Sequence, residues 1–86
     1  MRGKAEGKAL LVFVSLPDRV RQARLKIRLS QVDLAARLQI EGITMERDSV
    51  SRIEIGTRFV ADYELMVLAK VLGTSVLWLL GMEEGR

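Results

Sequence analysis

Ser30–Arg58 reads SQVDLAARLQIEGITMERDSVSRIEIGTR, and it decides the fold. The Ser30 hydroxyl can accept the free amide of Asp33, and the Asp33 carboxylate can bond back, so a helix starts here with a capping box. Leu34, Ala35 and Leu38 form an apolar stripe at helical spacing. Ala35 is small where a second helix must come close. Gly42 suits the left-handed position that ends a helix. Val50 and Ile53, with Met45 ahead of them, form the inner stripe of a further helix that closes at Gly56. That helix starts either at Thr44, with Ile43 packing in front of it, or later, near Glu46. The segment is therefore a helix, a turn and a second helix.

The outer face of the second helix carries Arg47, Asp48, Ser51 and Arg52, side chains able to donate to or accept from base edges. The run SQVDLAARL followed by SVSRIEIG resembles the lambda repressor/Cro-type helix-turn-helix family, also called the XRE family. Its pattern is S-Q-x-x-L-A-x-x-L, then V/I-S-x-x-E-x-G. The likeness extends from Arg19 through LAKVLG and VLWLLG to Gly81. It implies an all-α, five-helix DNA-binding domain in which Arg47, Asp48, Ser51 and Arg52 approach bases in the major groove. It also implies a structural salt bridge between Arg24 and Glu54, so neither is a base reader. One departure is that the stretch QIEGITMERDS between Leu38 and Val50 is longer than the family's usual turn, so either the turn is longer or one of the two helices is extended.

Phosphate contacts are expected elsewhere. Gln31 sits at the amino end of its helix, where free amides and the helix dipole favour an anion. Thr57 and Arg58, just past Gly56, can act from the other side, and Arg37 adds a nonspecific contact. Such contacts fix register and carry no sequence information.

Working outward, Ser15-Leu16-Pro17-Asp18 predicts a helix start capped by Ser15. The helix runs Leu16–Arg28, with Val20, Ala23 and Ile27 inward and Leu29 plugging the corner. Downstream, Asp62 caps a helix Tyr63–Leu72 with Leu65, Met66, Leu68, Ala69 and Leu72 inward, and Gly73 stops it. Ser75 caps a short helix Val76–Leu80. That helix has more large apolar side chains than a domain of this size can bury, so Leu77 and Trp78 are expected at a dimer interface. The alternative is that Trp78 completes the core over Tyr63. Residues 1–14 form an N-terminal arm, and its ALLVFV run at 9–14 favours an extended strand. The run either pairs with a second subunit, through Val12 and Phe13, or lies on its own domain. Residues 15–81 are the domain and 82–86 a polar tail.

Eighty-six residues suit one domain. A hydrophobic content of 49% with only 5% aromatic residues favours a helical bundle with an aliphatic core. Cysteine and histidine are both absent, which excludes disulfides, thiolate metal sites and the commonest general base. No catalytic residue, metal or cofactor is expected, and the chain reads as a non-enzyme. Arg19–Arg58 holds nine Lys/Arg against five Asp/Glu, whereas Phe59–Arg86 holds two against four. This fits either a domain with one anion-facing side or an ordinary solvated, mixed surface. No apolar run is long enough to span a membrane, and the apolar Ala9–Leu16 lacks the cleavage site of a signal peptide. The expected partners are double-stranded DNA and a second copy of the chain, with no small-molecule ligand. The expected function is cytoplasmic transcription regulation, most simply repression. The rivals are an antitoxin that also binds a partner toxin, and a helical protein-interaction module.

Overall fold

The computed structural model describes residues 15–83. The arm 1–14, with Val12 and Phe13, lies outside them, as do the last three residues. The described chain is all-helical. Helix α1 covers 15–26. It is followed by α2 Gln31–Ile40, α3 Arg47–Glu54, α4 Asp62–Leu72 and α5 Val76–Leu79. Helix α2 packs on α3 and α4, and α4 packs on α5.

Every helix contributes to one core. Val20 and Ala23 come from α1, and Leu34, Ala35 and Leu38 from α2. Val50 and Ile53 come from α3, Leu68, Ala69 and Leu72 from α4, and Leu79 from α5. Leu29 fills the corner between α1 and α2, as its sequence position predicts. Burying a side chain of the Leu or Ile class contributes about 1.5–3 kcal/mol. That term has to hold the structure, because the helices are short: eight residues make α3, too few for an isolated helix to persist in water.

Each helix ends in the same backbone figure. After α3, Gly56 N–H donates to Ile53 C=O (3.2 Å) and Thr57 N–H to Arg52 C=O (2.9 Å), the paired bonds of a Schellman ending. The residue in the left-handed region is a glycine at four of these corners, Gly42, Gly56, Gly73 and Gly81, but it is Arg28 after α1, with φ 60°. Residues 27 and 28 belong to that turn, so α1 stops at Lys26 and not at Arg28.

The long connection between Leu38 and Val50 is taken up by two further residues of α2, which runs on to Ile40, and by a pinned loop before α3. Helix α3 begins at Arg47 with Glu46 at its N-cap, which rules out the Thr44 start. Ile43 and Met45 are buried, and Gln39 Nε2 donates to Met45 C=O at 2.9 Å. The added residues thus enter the core and leave α3 pressed on α2.

Other expectations need correction. Ile27 and Met66 are 40% and 67% exposed, not inward. The α1 turn rotates Ile27 out, and Met66 faces away from the Leu65, Leu68 and Leu72 side of α4. Asp62 is the first residue of α4, and Ala61 is its N-cap. The Ala61 amide is instead satisfied by Glu64, whose Oε1 accepts it at 2.9 Å. Ser15 is already helical and does not cap α1. While Tyr63 is 61% exposed, Trp78 packs half-buried against the core. Its ring lies under the Arg19 guanidinium, 4.8 Å from ring centroid to Cζ.

Candidate nucleic-acid interface

Helix α3 has two chemically distinct sides. Val50, Ile53 and Glu54 are buried. Arg47, Asp48 and Arg52 are exposed, and Ser51 is half-buried. The face is local in origin: Arg52 follows Val50 by two positions and precedes Ile53, so it must leave on the far side from the core. Arg47 Nη1 lies 3.4 Å from Asp48 Oδ1, with both side chains largely in water. So open a pair adds little stability and leaves both groups accessible to a partner.

Beneath this face, the orientation of α3 is fixed by a charged knot. Arg24 Nε donates to Glu54 Oε2 at 2.6 Å and Arg24 Nη2 to Glu54 Oε1 at 2.9 Å. Arg24 Nη1 donates to Leu29 C=O at 2.8 Å, and Gln31 Nε2 donates to Glu54 Oε1 at 3.1 Å. One buried carboxylate therefore joins α1, the amino end of α2, and α3. The hydrogen bonds to Glu54 hold the Arg24 guanidinium above its ordinary pKa despite burial, so it stays charged.

Gln31 sits at the amino end of α2, as expected, but its amide is turned onto Glu54. That end already holds an anion. Asp33 N–H donates to Ser30 Oγ at 3.0 Å and Ser30 N–H to Asp33 Oδ2 at 3.1 Å. These bonds lower the Asp33 pKa, the Ser30 backbone bond contributing most. A phosphate here would have to approach a carboxylate.

Arg58 is likewise engaged. Its Nη1 and Nη2 form a bidentate pair with Glu64 Oε1 (3.1 Å) and Oε2 (3.0 Å), and Nη1 also donates to Phe59 C=O. The Arg58 side chain is still 30% exposed, against 7% for that of Glu64. Thr57 and Arg37 are exposed. The structure thus gathers Arg47, Asp48, Ser51 and Arg52 on one helix, with Thr57 and Arg58 directly after it. Arg37 stands on α2.

On α5, Leu77 is 53% exposed and Trp78 half-buried. Sequence reading missed Glu64 and Arg19. Glu64 had a signal, an acidic residue three positions after the residue preceding a helix, but the alanine at the cap hid it. Arg19 had none, since its bonds to the Trp78 and Glu83 carbonyls span most of the chain.

Among the described residues, no group of three or more acidic side chains is placed to hold a metal ion. No helix there is long and apolar enough to cross a membrane. No protein-family model matches the chain, and neither a curated protein nor a solved structure does.

Proposed function

We propose that this chain is a sequence-specific double-stranded DNA-binding transcription regulator of the lambda repressor/Cro type, acting as a homodimer and most simply as a repressor. The observation that carries the reading is the two-sided α3. Its inner side is locked by Val50, Ile53 and the Arg24–Glu54 pair, and its outer side offers Arg47, Asp48 and Arg52 to a groove. Arginine can bond guanine through two donors, and aspartate can accept from cytosine. The basic balance of Arg19–Arg58 supports an anionic partner. The exposed Leu77 beside Trp78 suits a second copy.

Of the phosphate contacts, Thr57 is exposed with its hydroxyl donating to Arg52 C=O at 3.4 Å, Arg58 must share its guanidinium with Glu64, and Gln31 serves first as a clamp on Glu54. The test is selection of bound fragments from random duplex DNA, with mobility shifts at two salt concentrations. Binding should weaken steeply as salt rises. Arg52→Ala should cost about 1–3 kcal/mol on the selected site and relax preference at one base pair. Full affinity with an unchanged site preference in that variant would remove α3 as the reading element.

A further inference from the structure

Four helix corners place a glycine in the left-handed region, but the corner between α1 and α2 places Arg28 there. It is the one residue with a side chain at positive φ among the described residues. The corner is otherwise regular. Arg28 N–H donates to Leu25 C=O at 3.0 Å and Leu29 N–H to Arg24 C=O at 3.1 Å. Glycine would make the same turn without pressing a Cβ on the backbone. A strained residue persists where its surroundings or its function hold it. Here the surroundings do not. The Arg28 side chain is exposed, and among the described residues it has no carboxylate within 4 Å and no hydrogen bond.

The place of the corner supplies the function. Leu29 C=O accepts from Arg24, and Gln31 donates to Glu54, so the residues just after Arg28 are tied to the knot that holds α3. Ser51 stands three positions before Glu54, one turn back on the same flank of α3. The corner therefore borders the side of α3 on which Ser51 lies. A phosphate on this flank was expected at Gln31, but Gln31 is turned onto Glu54, and Ser30 and Asp33 already cap the end of α2. The Asp33 carboxylate is occupied by the Ser30 amide and lies beyond ion-pair distance of Arg28. Arg28, three residues before Gln31, is thus left as a free cation beside the position where the phosphate contact was expected.

We propose that Arg28 binds a backbone phosphate of double-stranded DNA beside α3, adding affinity without sequence preference. This rests on the DNA reading of α3 given above. A guanidinium meets two phosphate oxygens with parallel N–H donors. The strain that Arg28 adds to the free protein is offset by this contact in the complex.

The experiment compares the full chain with Arg28→Gly, Arg28→Gln and Arg28→Lys. Each is unfolded in urea. Each is also titrated, at several salt concentrations, onto the duplex that the wild-type chain selects and onto a random duplex of equal length. Arg28→Gly should raise the urea midpoint and yet raise the Kd roughly three- to tenfold on both duplexes. Its salt slope should be shallower by about one, with base preference unchanged. Arg28→Gln should weaken binding as much without gaining stability, and Arg28→Lys should keep most of the affinity. An Arg28→Gly variant with wild-type Kd and slope would overturn the proposal, as would a changed base preference. Wild-type affinity in Arg28→Gln beside weakened Arg28→Gly would assign the effect to the shape of the corner and overturn it too. Loss of stability in Arg28→Gly would put the side chain in a contact within the domain, with the same result. If the wild-type chain itself selected no duplex, the DNA reading of α3 would fall, and this anchor with it.

Discussion

At Glu54 a single carboxylate accepts from Arg24 twice and from Gln31 once, and it is 3% exposed. Removing it would leave Arg24 charged and buried with only the Leu29 carbonyl, a loss on the order of 3–5 kcal/mol. Glu54→Ala should therefore lower the melting temperature sharply. Glu54→Gln, which keeps a carbonyl acceptor, should lose less. An unchanged melting point in the alanine variant would mean that the pair does not form in solution. Arg28 makes the opposite case. A residue with a Cβ at φ 60° carries a steric cost that glycine avoids. Arg28→Gly should stabilise the domain by about 1 kcal/mol in urea unfolding. Destabilisation would show that the arginine side chain makes a compensating contact.

Among the elements, both the start of α2 and the α3–α4 corner hold a carboxyl below its ordinary value, and the corner's is the buried one. Arg58 donates two hydrogen bonds to Glu64, and these, more than the Ala61 amide, hold the Glu64 carboxyl below its ordinary value of 4.5. A depressed pKa in the folded state contributes stability that is complete above 4.5. That stability is lost as pH falls below 4.5 through the folded value. Acid titration monitored by circular dichroism should show unfolding in that window, and Glu64→Gln should flatten the dependence there. An identical acid profile in the variant would assign the loss to other carboxylates. The α2–α3 elements were well marked in the sequence, because caps and apolar stripes are local signals. The Ser30–Asp33 box, the Gly42 and Gly56 endings, and the Val50/Ile53 stripe all stand where spacing predicts. The loop before α3 was ambiguous: Thr44 is a good cap by type, yet burial of Ile43 and Met45 on either side of it decides the backbone there. Local propensity cannot report that.

For the whole molecule, the same division holds. The inner faces of helices could be read from periodicity except at Ile27, just past the end of α1, and at Met66, in the middle of α4. The outer face of α3 follows because it is what Val50 and Ile53 leave over. The captures of Gln31 by Glu54 and of Arg58 by Glu64 were not legible, since each depends on side chains brought together by folding.

The Arg19–Trp78 contact also bears on folding order. The two residues are 59 apart in the chain, while every helix ending closes over a handful of residues. By the logarithmic loop-closure law, bringing Arg19 to Trp78 costs about 2 kcal/mol more chain entropy than closing a helical turn. This contact should therefore form after the rate-limiting barrier, once the local corners exist. Arg19→Leu should then accelerate unfolding in a denaturant chevron and leave the refolding arm nearly unmoved. If refolding slowed in proportion to the lost stability, the two ends of the chain would already meet at the barrier.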